Sequence, residues 1–169
     1  MTPVVNPATF DAYAAIAQGF HVRRPSAVVP AAAASQNLFI NTGPVLLTGL
    51  LGVTTVPADA GAELLAAYIG ASGAVNIAAV STTIATAVLG TLFYITGVFA
   101  TGLVIALPTL PTALVTSMPT PMINPVVWPC GATPLNLGIV GSVASNLTLS
   151  VEWHCWYRPL TAGAGVNVV

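Results

Sequence analysis

Two histidines, two cysteines and four side-chain carboxylates are the whole supply of imidazole, thiol and acidic side chains in this chain of 169 residues. His154 and Cys155 are adjacent, the residue types of a base and a thiolate nucleophile. Successive side chains of a strand leave opposite faces, so neighbours in an alternating segment cannot hydrogen-bond each other. Glu152 and His154, two apart, do share a face and are expected to form an ordinary ion pair. Cys130 and Cys155 do not have the spacing of a C-x-x-C ligand pair, and zinc would need two further ligands. The opening residues do not read as a secretory leader, so both thiols are expected reduced and buried, with a disulfide between neighbouring strands as the alternative. Asn146-Leu147-Thr148 fits the glycosylation pattern but falls in a segment read as strand, without an export signal. The glycines are dispersed as turn residues and form no phosphate-binding loop. No catalytic, metal-binding or cofactor-binding set emerges, and the chain is expected not to be an enzyme.

The side chains suited to contact with a partner are different ones. Arg23 and Arg24 are the one basic pair; they would grip an acidic patch or a phosphate, or be solvated on an arm, and the sequence weighs these equally. A nucleic-acid binder needs a larger basic surface, and the net charge is -1. Upstream, Asn6-Pro7 is an N-cap and first-turn pair, and Gly19 can close a helix. Phe10, Tyr13, Ala14 and Ala17 would share one face of it. A helix of about three turns is marginal alone in water, so the stripe needs something to dock on. Residues 1–35 therefore read as an extended N-terminal arm carrying a short helix. Phe10, Tyr13, Arg23, Arg24 and Trp156 are the partner-binding candidates.

The elements that must carry these side chains follow a period of two. Leu147, Leu149, Val151, Trp153, Cys155 and Tyr157 fall on one face of a strand over 146–157, with Glu152, His154 and Trp156 on the other. Leu135, Leu137 and Ile139 share a face of a strand over 134–140, and Gly141, Ser142 and Ser145 between the two segments predict a hairpin. Upstream strands are expected over 38–40, 45–56, 64–69, 75–80, 84–88, 92–96 and 102–107. Further apolar segments over 114–118 and 123–128 lie between prolines. Gly49 and Gly52 predict a bulge or bend in the long one. A helix is the alternative over 63–68, since Ala and Leu favour it. The whole reads as all-β, a β-sandwich or jelly-roll-like barrel over residues 36–169.

Charge sets the remaining problem. Asp, Glu, Lys and Arg make up 4% of the chain, against about 25% in an average soluble domain. Apolar residues make up 56%, so the exposed apolar surface must be covered by lipid or by protein. Residues 88–107 are apolar and about as long as a spanning helix. Three glycines inside that window, two prolines soon after it and no flanking Lys or Arg count against a span. Burial in an oligomer and its docking surface is the better account.

Three blocks carry a resemblance. Asn41-Thr-Gly-Pro-Val-Leu-Leu-Thr-Gly-Leu-Leu-Gly-Val-Thr-Thr55 resembles the opening of a group of tailed-bacteriophage virion proteins, and Gly90-Thr-Leu-Phe-Tyr-Ile-Thr-Gly97 a later strand of the same group. The ending from Gly141, with Tyr157-Arg-Pro-Leu-Thr-Ala-Gly-Ala-Gly-Val166, is similar to theirs as well. These are turn-and-strand patterns without a chemical motif, and they leave the arm uncovered. The family is that of capsid decoration, or cement, proteins. The resemblance implies a β-sandwich that trimerises on the outside of a capsid, with the major capsid protein as partner and no cofactor, nucleic acid or small-molecule substrate. It places the protein on the virion surface after assembly in the bacterial cytoplasm. A fibre-type or carbohydrate-binding virion head, with Trp128 and Trp156 as contact aromatics, is the second reading. A small membrane protein spanning at 88–107 is the third.

Overall fold

The computed structural model describes residues 19–30, 33–59, 61, 63–71, 75–106, 124–141 and 148–169. The short helix expected on the arm, with Phe10 and Tyr13, lies outside them, as does the segment 114–118. The described residues are all-β. Their strands are β1 (Phe20–Val28), β2 (Ser35–Asn41), β3 (Val45–Val56), β4 (Leu65–Ile69), β5 (Val75–Ala78) and β6 (Leu92–Tyr94). The later ones are β7 (Val104–Ala106), β8 (Val126–Trp128), β9 (Asn136–Gly141), β10 (Ser150–Pro159) and β11 (Val166–Val168).

Two antiparallel sheets result, arranged like a sandwich. One runs β1-β10-β3-β6-β7, with β8 continuing the edge of β3 that β6 leaves free: β8 faces Val45–Leu47 and β6 faces Leu51–Val53. The other runs β11-β2-β9-β4-β5. One core is shared by both, with Leu47, Trp128, Val151 and Trp153 from the first sheet and Phe39, Leu65, Leu137 and Ile139 from the second. Along one side the sheets are joined by a parallel bridge between Ala79 and Gly102, where Leu103 N–H donates to the Ala79 carbonyl at 3.0 Å.

The alternation over β10 is as the sequence predicts: Val151, Trp153, Cys155 and Tyr157 are buried, and Glu152, His154 and Trp156 look out. The 63–68 segment is strand and not helix, because Leu65–Ile69 is buried throughout and pairs on both edges, with β5 and β9. The expected hairpin does not form. β9 belongs to the second sheet and β10 to the first, since β9 pairs with β2 and β4 while β10 pairs with β1 and β3. Turn residues between two strands signal a reversal but not the sheet to which the second strand returns. Residues 84–88 form turns where a strand was expected. Hydroxyls satisfy the backbone locally there, with Ala85 N–H donating to Thr83 Oγ1 at 3.3 Å and Val88 N–H to Thr91 Oγ1 at 3.0 Å. Within the window read as a possible span, residues 88–106 are turns and the short strands β6 and β7. Among the described residues no helix is long and apolar enough to cross a membrane.

The described part of the expected arm runs as β1, an edge strand paired with β10 from Phe20↔Tyr157 to Val28↔Ser150. Its ladder is interrupted between Arg24 and Ala27, where Pro25 sits. Proline has no N–H to give, so an edge strand with a bulge is where a sheet accepts it.

Candidate functional site: an ionisable seam on the outer face of a sheet

Registry across β1, β10 and β3 determines which chemical side chains meet. His21 lies opposite Trp156, and Trp156 opposite Gly49; Arg23 lies opposite His154, and His154 opposite Leu51. Paired residues of an antiparallel ladder share a face, so His21, Arg23, Glu152, His154 and Trp156 gather on the outer surface of the first sheet. Both of the chain's histidines, one of its three cationic residues and one of its four carboxylates stand in this seam.

The groups form a continuous chain. Arg23 pairs through Nη2 with Glu152 Oε2. Glu152 Oε1 lies 3.0 Å from His154 Nε2, and His154 Nδ1 lies 2.9 Å from His21 Nε2. Since the carboxylate only accepts, His154 donates through Nε2–H; with both rings neutral, its Nδ1 then accepts from His21 Nε2–H. The rings stand nearly parallel, with His21 and His154 centroids 5.2 Å apart at 9° and His21 and Trp156 4.8 Å apart at 28°. The hydrogen bond from Arg23 holds the Glu152 carboxyl below its ordinary range. Partial burial, reinforced by His154 and Arg23, lowers the His21 imidazole below its ordinary value.

As chemistry, this is a carboxylate orienting a histidine, the pairing expected for Glu152 and His154. The distal nitrogen that a general base would use is occupied by His21. Cys155, the adjacent thiol, points the other way: it is fully buried, and burial raises its pKa, so it stays a thiol. Cys130 and Cys155 are free, but Cys130 is only half-buried, contrary to the expectation of two buried thiols. It follows β8 on an exposed connection and so does not share the core that covers Cys155. Among the described residues no group of three potential metal ligands occurs.

The partner candidates separate. Arg23 is exposed and Trp156 half-exposed in the seam. Arg24 leaves the other face of β1, where its Nε donates to the Val169 carbonyl at 3.3 Å and burial lowers its guanidinium pKa. The basic pair is thus divided between two faces of one strand, as strand geometry requires. Trp128 is fully buried in the core. His21 was not singled out by its spacing, because only the β1–β10 register brings it to His154. Alternation along 20–24 would have placed it on the face of Arg23, but not beside a particular partner.

Comparisons of the chain with protein-family models, with curated proteins and with solved structures returned no match.

Proposed function

We propose that the chain is a non-enzymatic structural subunit, a trimeric decoration protein that binds the outer surface of a bacteriophage capsid and stabilises the shell. The observation that carries the reading is the placement of its apolar side chains. With only 4% charged residues, the chain also exposes Leu89 by 65%, Phe99 by 51% and Val127 by 59%. Leu89 and Phe99 stand in turns flanking β6, where no fold constraint obliges an apolar residue. Apolar side chains held out at turns suit a surface that ends in contact with other protein.

The sequence blocks that resemble decoration proteins map to β3, β6, β10 and β11 and so involve both sheets. Three copies engaging a regular shell gain avidity from contacts that are individually modest. The carbohydrate-binding alternative finds less support, since Trp128 lies in the core and Trp156 is flanked by two histidine rings.

Light scattering coupled to size exclusion, without detergent, tests oligomerisation: a soluble species near three times 17.0 kDa is expected. Co-sedimentation with undecorated capsids then tests the partner. A monomer that leaves capsids bare overturns the proposal.

A further inference from the structure

We propose that the His21–His154 contact is an acid-opened clasp on the edge strand β1, closed while at most one of the two rings is protonated and open when both are. The number of hydrogens between two nitrogens sets the state of the clasp, whatever the chain binds. With both rings neutral, one N–H lies between His21 Nε2 and His154 Nδ1, at 2.9 Å. One added proton is accommodated on an outward nitrogen, and a single N–H still lies between the rings. A second proton leaves a hydrogen on each facing nitrogen, and the contact can no longer be a hydrogen bond. Two parallel imidazolium rings 5.2 Å apart then also repel.

The surroundings relieve that charge only in part. From β1 the clasp faces Arg23, a further cation; from β10 it faces Glu152, whose carboxylate is already shared between Arg23 and His154. Beyond Trp156 on β10 stands Arg158, also cationic. From β3, which flanks β10 on its other side, the residues in register are Gly49, Leu51 and Val53, none of them charged. The lowered pKa of His21 agrees with this geometry.

The element that would move is delimited. Among the described residues β1 pairs only with β10, and its ladder is broken between Arg24 and Ala27, so Phe20–Arg24 can part without the rest. Its release bares one edge of β10.

The test follows both histidine ring signals by NMR across a pH series on the full chain. Amide hydrogen exchange of residues 20–24 is measured along the same series and corrected for the intrinsic rate. Protection of 20–24 is expected to fall about tenfold or more in step with the second ring titration. Amides of β3 that pair with β10 should keep theirs. In His21→Gln, whose amide still donates but does not titrate, the pH dependence should vanish. Protection that persists beyond the second titration step overturns the proposal. So does a His21→Gln profile identical to that of the unaltered chain.

Discussion

Several of the closest contacts in the two sheets are glycines facing aromatic rings. Gly52 lies opposite Trp153 in the β3–β10 ladder, and a β-carbon placed there would fall 2.9 Å from Cζ3 of the indole and 2.8 Å from Val151 Cγ1. Gly138 lies opposite Tyr68, whose Cζ would be 2.6 Å from such a carbon. The ring covers the bare backbone, and the absent side chain makes room for the ring. Gly52→Ala is therefore expected to cost about 1–3 kcal/mol, read as a lower denaturation midpoint at unchanged slope. Two buried polar residues should respond in opposite senses. Asn41 is fully buried, its Nδ2 donating to the Pro129 carbonyl and its Oδ1 accepting from Leu135 N–H, each at 2.8 Å. Asn41→Ala strands both partners and is expected to cost about 1–3 kcal/mol in the same measurement. Thr54 Oγ1 is buried with no hydrogen-bond partner among the described residues, so Thr54→Val should leave the midpoint unchanged or raise it.

At the scale of elements, the seam between β1 and β10 sets the pH dependence. His21 and Glu152 both have lowered pKa values in the folded chain, so at these sites the unfolded chain binds more protons. His21 thus contributes stability that is fully present above its ordinary 6.5 and lost as pH falls through the lowered value. Glu152, on the strength of Arg23, contributes stability that is fully present above its ordinary 4.5 and lost as pH falls through its lowered value. The denaturation midpoint should decline on the acid side in two stages, the first absent from His21→Gln and the second reduced in Glu152→Gln. A midpoint flat from neutrality to the carboxylate range would contradict this. The same seam shows how much of the site was legible. Period two along 146–157 placed Glu152 with His154 and set Cys155 apart, because face is a local property of a strand. The union of His21 with His154 depends on which strand lies beside β10 and in what register, and alternation contains no information on either.

For the molecule as a whole, β1 alters how the N-terminal segment is to be probed. Removing residues 1–35 takes away an edge strand of the first sheet together with everything before it. Loss of capsid binding would then report a damaged sheet as readily as a lost contact. Removing residues 1–18 leaves β1 and its ladder in place. If the Phe10 and Tyr13 stripe binds a partner, this shorter deletion should weaken trimer formation or capsid occupancy while the denaturation midpoint changes little. Unchanged occupancy in a binding titration would remove Phe10 and Tyr13 from the interface.

The sequence by itself determined the all-β class, the inward face of β10, the shared face of Glu152 and His154 and a composition poor in charge. Each follows from periodicity or composition, which act over a few residues or over the whole chain without regard to contacts. Tertiary structure alone decided that β9 and β10 part into different sheets, that 84–88 stays in turns, that Trp128 lies in the core and that His21 meets His154. These outcomes depend on which strands become neighbours. That choice is made by the joint burial of side chains from distant segments, such as Trp153 over Gly52 and Tyr68 over Gly138, and no local pattern encodes it.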